Sequence, residues 1–190
     1  MTTTLDHDVP AYFSAYENLR MTRTESGVLT LAFHTDGGPA TFTGTLHTDL
    51  PRALFEIGED RANKVLVLTG TGDRFMTDID GASLGDITKP AEWDRTIGEG
   101  RRVMQRLVDL EMPIVAAVNG PASVHSEYAL LSDIVVAADT TVFSDFPHLT
   151  FGIVPGRHPD RLGGGDRHQP HPLPHAHAGL VHRTAGRGLG

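Results

Sequence analysis

Imidazole is the chemistry this chain holds in quantity: 190 residues carry eleven histidines and no cysteine. Without thiols there is no disulfide framework, no thiolate metal site and no cysteine nucleophile. Histidine titrates near neutral pH, so it serves as general base, general acid or metal ligand. Three histidines of the first 156 residues stand in turn-rich sequence: His47 in FTGTLHTDL, His125 in NGPASVHSE and His148 in SDFPHLTFGIVPG, with Glu127 two places after His125. Each has a plainer reading. His47 at a helix start fits a capping or surface residue, His148 after Pro147 a loop histidine bonded to backbone, and Glu127 a solvated acid on a short helix.

The elements that would position them follow from apolar spacing. MTRTESGVLTLAF reads as strand, turn and strand, broken at Glu25-Ser26-Gly27. Leu50, Leu54 and Ile57 recur at helical spacing in a segment opened by Thr48, Asp49 and Pro51, all helix-start residues. The unbroken runs Val65 to Leu68, Ile114 to Val118 and Ile134 to Ala138 predict strands buried on both faces. Between them, Trp93, Ile97, Met104, Leu107 and Val108 form the apolar stripe of a long helix expected to cover the sheet, with Trp93 in the core, and Ser126 to Leu131 predicts a short one. Strand, helix and strand alternate with short links, which defines an α/β fold with parallel strands. In such sheets ligands sit beyond the carboxyl ends of the strands, so the loops at 70–80, 119–127 and 145–156 are the places to look for a site.

Charge and composition divide the chain near Gly156. Residues 1–156 carry 11 basic against 22 acidic side chains, whereas 157–190 carry 5 arginines against 2 aspartates. An acidic body repels phosphate backbones, which argues against nucleic acid as a partner. No apolar run reaches the roughly 20 residues of a membrane helix, and the N-terminus lacks the pattern of a secretory signal; a cytoplasmic protein is expected. Glycine, histidine, arginine and proline supply 22 of the last 34 residues, so the 157–190 segment reads as a low-complexity, disordered tail. Its six histidines have no ordered scaffold to fix a coordination geometry, and no metal is expected there. With 14 arginines to 2 lysines the codon usage fits a GC-rich gene, and the abrupt change predicts a frameshift near codon 157. Resequencing the locus tests it.

The segments ANKVLVLTGTGDRF, MPIVAAVNGPA, SDIVVAADTTVFSD and FGIVPG, in this order, resemble the crotonase, or enoyl-CoA hydratase/isomerase, superfamily between about Tyr16 and Gly156. The resemblance implies a ββα spiral, here truncated, that is usually trimeric and holds an enolate oxygen with two backbone N–H groups. Glu127 matches the first of two family glutamates, His148 stands in place of the second, and His125 stands where a glycine is expected. With His47, this pattern looks like the oxocamphor hydrolase branch, β-diketone hydrolases that cleave a carbon–carbon bond by a retro-Claisen reaction without a cofactor. Phe42 takes the place of that branch's tryptophan near the diketone, and the Ile79 N–H that of the first oxyanion donor.

The resemblance therefore implies His148 as water-activating base, His125 and His47 as donors or orienters at the diketone oxygens, and Glu127 as a group orienting a neighbour, with a small-molecule substrate as partner. A neutral-range base suits water activation, and donors at the developing oxyanion suit the bond cleavage. One departure stands out. In that branch an aspartate after the Pro-Gly supports the histidine equivalent to His148, and here that place holds Arg157, a cation that disfavours the imidazolium. The family's later helices have no counterpart, so part of the apolar surface is expected to lose its cover and the chain to aggregate. Two other readings stay open: an enoyl-CoA hydratase or isomerase acting on acyl-CoA, and a remnant of the fold without catalysis.

Overall fold

The computed structural model describes residues 9–151 and the two-residue strand at 181–182. Strand β1 (Leu19–Arg23) turns back into β2 (Val28–Phe33) through Gly27, which sits at φ +86°. A side chain at Gly27 would also run into the Ala62 carbonyl at 2.6 Å, so conformation and space both require glycine. β1 pairs with β2 antiparallel, and from β2 onward β4 (Val65–Thr69), β6 (Ile114–Val118) and β7 (Ile134–Ala137) run parallel. The edge strand β8 (Val181–His182) is antiparallel to β7. The tail, frameshift and domain-boundary expectations otherwise lie outside the described residues.

Register lines up the core. Met21, Leu31, Leu68, Ala116 and Val135 are successive cross-strand partners, and all are buried. Leu29, Leu66 and Ile114 form the next row. Each fully buried leucine contributes about 1.5–3 kcal/mol of apolar burial. Against this face pack α1 (Gly44–Glu59) and α2 (Pro90–Asp109), through Leu46, Leu50, Leu54, Ile57, Val103 and Leu107.

The structure corrects four expectations. The strands are not buried on both faces: Val65 and Val67 are half-buried, and in β7 Ile134 and Val136 are exposed. The sheet has one packed face because both long helices share it. Helix α1 does not open at Thr48-Asp49-Pro51 but a turn earlier, where the Thr43 hydroxyl caps the Leu46 N–H at 3.2 Å. Pro51 lies inside the helix, where its missing N–H leaves the His47 carbonyl without its helical donor. Finally, on α2 Val108 is 65% exposed, while Trp93 and Ile97 face a cavity instead of the core and Met104 touches both.

Ile134 and Val136 share the outer face of β7, and bare apolar sheet surface promotes association. Val136→Lys is expected to reduce self-association in sedimentation velocity while changing stability by no more than about 0.5 kcal/mol, as for other surface substitutions. Unchanged association would place the sticky surface elsewhere. Among the described residues no helix is long and apolar enough to cross a membrane.

Candidate active site

Two close loops follow the strands that lead toward the site. β4 and β6 end side by side, and there Gly70 N–H donates to the Asn119 side chain at 3.1 Å while the Asn119 amide donates to Gly72 at 2.9 Å. Gly120 lies so near the Asp73 carbonyl that any Cβ would collide with it, which accounts for the Asn-Gly-Pro turn. A second, two-stranded sheet pairs β3 (Thr41–Phe42) with β5 (Asp78–Ile79) and sets Phe42 directly beside Ile79.

Beside this small sheet opens a cavity of about 700 Å³. Phe42, His47, Ile79, His125, Glu127 and His148 all line it, with Trp93, Ile97 and Met104 from α2 opposite. Every residue that the sequence singled out thus shares one wall system. His47 comes from the first turn of α1, His125 from the turn just before α3 (Glu127–Leu130), Glu127 from its first residue, and His148 from α4 (Phe146–Phe151). Trp93, expected in the core, belongs to the cavity. That distinction is invisible in periodicity, since a cavity wall is as apolar as a core.

The rings are close-packed. His125 stacks on Tyr128 with centroids 4.9 Å apart and planes at 2°, lies 4.2 Å from the Phe42 ring, and meets His148 edge to face at 5.2 Å. His125 has φ +50°, the left-handed region, which explains why a glycine is the ordinary choice there. Holding a non-glycine residue in that region costs of order 1 kcal/mol and is typical of functional positions.

Each of the three imidazoles is tied at Nδ1 to a carboxylate. His47 bonds Glu99 at 2.8 Å, His125 bonds Glu127 at 2.6 Å, and His148 bonds Asp145 at 2.6 and 2.7 Å. These bonds leave the Nε2 atoms as the groups available to a ligand. For His148, burial is the largest single influence and disfavours the cation, yet the Asp145 bond and charge, with the charge of Glu127, outweigh it and raise the pKa above its ordinary 6.5. For His47 burial wins, and the pKa lies below 6.5 despite Glu99.

Asp145 corrects the expectation that His148 lacks a supporting carboxylate. Arg157 lies outside the described residues, but Asp145, three places before His148 and immediately ahead of α4, already fills the role. The spacing Asp145-x-x-His148 was its signal, since an acid just before a helix can reach a side chain in the helix's first turn. Glu99 and Arg95 were also missed. A glutamate on the inward side of α2, four places before the buried Val103, was the available hint, because a buried acid requires a partner. Its pairing with His47, 52 residues away, had no local trace.

His125, Glu127 and His148 each offer one ligating atom, all within 4.8 Å of one another. Two histidines and a glutamate are a set that zinc accepts. The same three side chains are those that the family resemblance marks for acid–base work. Glu127 Oε2 is buried without a hydrogen-bond partner among the described residues, so this wall holds an acceptor waiting for a donor.

A parallel sheet continued by a small second sheet, with the site at the carboxyl ends of β4 and β6, defines the crotonase fold. The enoyl-CoA hydratase/isomerase family model matches residues 23–163, and the chain belongs to that family. A crotonyl-CoA hydratase of Syntrophomonas wolfei is 30% identical over 145 residues, 75% of this chain and 54% of the relative. Among solved structures, a beta-diketone hydrolase from the cyanobacterium Anabaena sp. PCC 7120, bound to (S)-3-oxocyclohexyl acetic acid, is 51% identical with a TM-score of 0.76 over 78% of this chain and 60% of its own. An enoyl-CoA hydratase/isomerase from Mycobacterium paratuberculosis is 26% identical with a TM-score of 0.64, covering 78% and 57%. The chain spans about half the length of the curated relatives it matches.

Proposed function

We propose that this chain is a β-diketone hydrolase that cleaves a carbon–carbon bond of a 1,3-diketone by retro-Claisen chemistry. The observation that carries the reading is the His148–Asp145 pair at the cavity wall, 5.2 Å from the His125 ring, at a position where a hydratase of the family would present a glutamate. His148 takes a proton from water, and the hydroxide adds to one carbonyl. The adduct then expels the neighbouring carbon as an enolate while its oxygen becomes a carboxylic acid. The Ile79 N–H stabilises the developing oxygen charge. The His148 imidazolium returns the proton to the enolate carbon, giving a ketone and a carboxylate after the acid ionises. His125, held by Glu127 and by its stack on Tyr128, orients the diketone between Phe42 and His148. The identity to the Anabaena hydrolase supports this assignment. A cytoplasmic location and the trimer usual for the family belong to the same proposal.

The matches to CoA hydratases, together with Glu127, favour a second reading as an enoyl-CoA hydratase. Incubating the purified chain with cyclic 1,3-diketones and with crotonyl-CoA separates the two. Diketone cleavage supports the proposal, thioester hydration without cleavage reverses it, and inertness toward both supports a non-catalytic remnant.

The Asp145 pair gives a pH signature. His148 is active as a base when deprotonated, so kcat/KM rises with pH through its raised pKa. In Asp145→Asn that pKa falls, the acid limb of the profile moves to lower pH, and the plateau drops about 10- to 100-fold, as for other carboxylates behind a histidine. The same pair stabilises the fold only where His148 is protonated. Its contribution is complete below the unfolded pKa and vanishes as pH rises through the folded one. An acid limb that does not move in Asp145→Asn refutes His148 as the titrating base.

A further inference from the structure

Glu99 is the one acidic side chain buried among the described residues, and the proposed reaction does not use it. Its Oε2 accepts from Arg95 at 3.0 Å and meets His47 Nδ1 at 2.8 Å, while the Thr48 hydroxyl reaches both carboxylate oxygens at 3.2 and 3.3 Å. A carboxylate accepts and does not donate, so the proton between Glu99 and His47 belongs to Nδ1. Burial keeps the imidazole neutral at neutral pH, which leaves the lone pair on Nε2.

Among the described residues Nε2 has no hydrogen-bond partner. It lies beside Gly100, another cavity residue: a Cβ built at Gly100 would come within 3.9 Å of Nε2 and touch nothing closer. Glycine inside a helix costs about 1 kcal/mol relative to alanine. Here alanine would fit, and its methyl would cover the nitrogen.

We propose that Glu99, clamped by Arg95, is a positioning residue that holds the His47 proton on Nδ1, so that His47 presents Nε2 as an acceptor for the attacking water and then for the hydroxyl of the adduct. This inference rests on the diketone reading of the cavity. It moves His47 away from the donor-or-orienter role expected at the diketone oxygens, since a carbonyl oxygen gains nothing from a nitrogen lone pair. Water and the adduct hydroxyl both carry the hydrogen that Nε2 needs.

Ring-nitrogen NMR of histidine-labelled full-length chain tests the tautomer, with the His47 signals identified by their loss in His47→Asn. The expected wild-type state is a protonated Nδ1 and a bare Nε2, and Glu99→Leu is expected to move the proton to Nε2 or divide it between the two atoms. Glu99→Gln carries the same comparison if the leucine variant does not fold, with a smaller shift because the amide oxygen still accepts. A wild-type His47 protonated on Nε2, or a tautomer untouched by either substitution, overturns the proposal whether or not any diketone is cleaved.

Kinetics then locate the contact. In Glu99→Leu, kcat for a cyclic 1,3-diketone is expected to fall about 10- to 100-fold with KM little changed, and Glu99→Gln is expected to recover part of that loss. Gly100→Ala is expected to keep or raise the melting temperature while lowering kcat. Raised KM at unchanged kcat in these variants would put His47 on the diketone itself and overturn the assignment to water. A wild-type chain that cleaves no diketone defeats the proposed function, and the tautomer measurement alone then decides the role of Glu99.

Discussion

His148→Ala is expected to lower kcat for diketone cleavage by about 10²- to 10⁴-fold, the usual contribution of a positioned general base. The argument is geometric first. His148 is half-buried at the cavity wall, its Nδ1 is anchored by both Asp145 oxygens, and Nε2 is the atom left to meet water. His47 is the weaker base: its pKa lies below the ordinary value, whereas that of His148 lies above. The loss therefore appears in kcat and in kcat/KM together, and the acid limb of the pH profile disappears with it. Stability changes little, because α4 is a six-residue helix at the rim of the core. Retention of more than about a tenth of wild-type kcat, with the melting temperature unchanged, removes His148 from the role of base.

The second large effect is on the fold. Phe33→Ala is expected to destabilise the chain by about 3–5 kcal/mol, the range for deleting a buried phenylalanine ring. Phe33 ends β2 at 1% exposure, with its ring edge-on to Phe75 at 5.6 Å and 6.5 Å from Tyr128. The melting temperature is expected to fall by about 6–20 °C, taking about 2–4 °C per kcal/mol for a chain of this size. Because Tyr128 in turn stacks on His125, activity measured well below the transition is expected to fall as well. A loss under about 1.5 kcal/mol by denaturant unfolding would show that the site around Phe33 collapses to fill the gap.

Much of the architecture is legible before any coordinates. Val65 to Leu68 and Ile114 to Val118 are strands because short unbroken apolar runs rich in β-branched residues and punctuated by Gly and Pro have little alternative. Glu127–Leu130 forms the short helix expected after the second of them, ahead of β7. What periodicity cannot show is the neighbour on the far side of an apolar stripe. Trp93 and Ile97 have the spacing of core residues and face a cavity, and Val136 has the hydropathy of a buried strand residue and faces outward.

The sequence alone determined the alternation of strands and helices, the glycines and asparagine that let the β4 and β6 loops approach, and the histidines that the family pattern marks. Those are local properties, set by backbone conformation and by residue type. The tertiary structure decided which carboxylate each histidine received: Glu99 for His47 across 52 positions, Glu127 for His125 and Asp145 for His148. It also decided the direction in which His47 and His148 titrate, because burial and the charge beside a ring depend on every chain segment that folds against it.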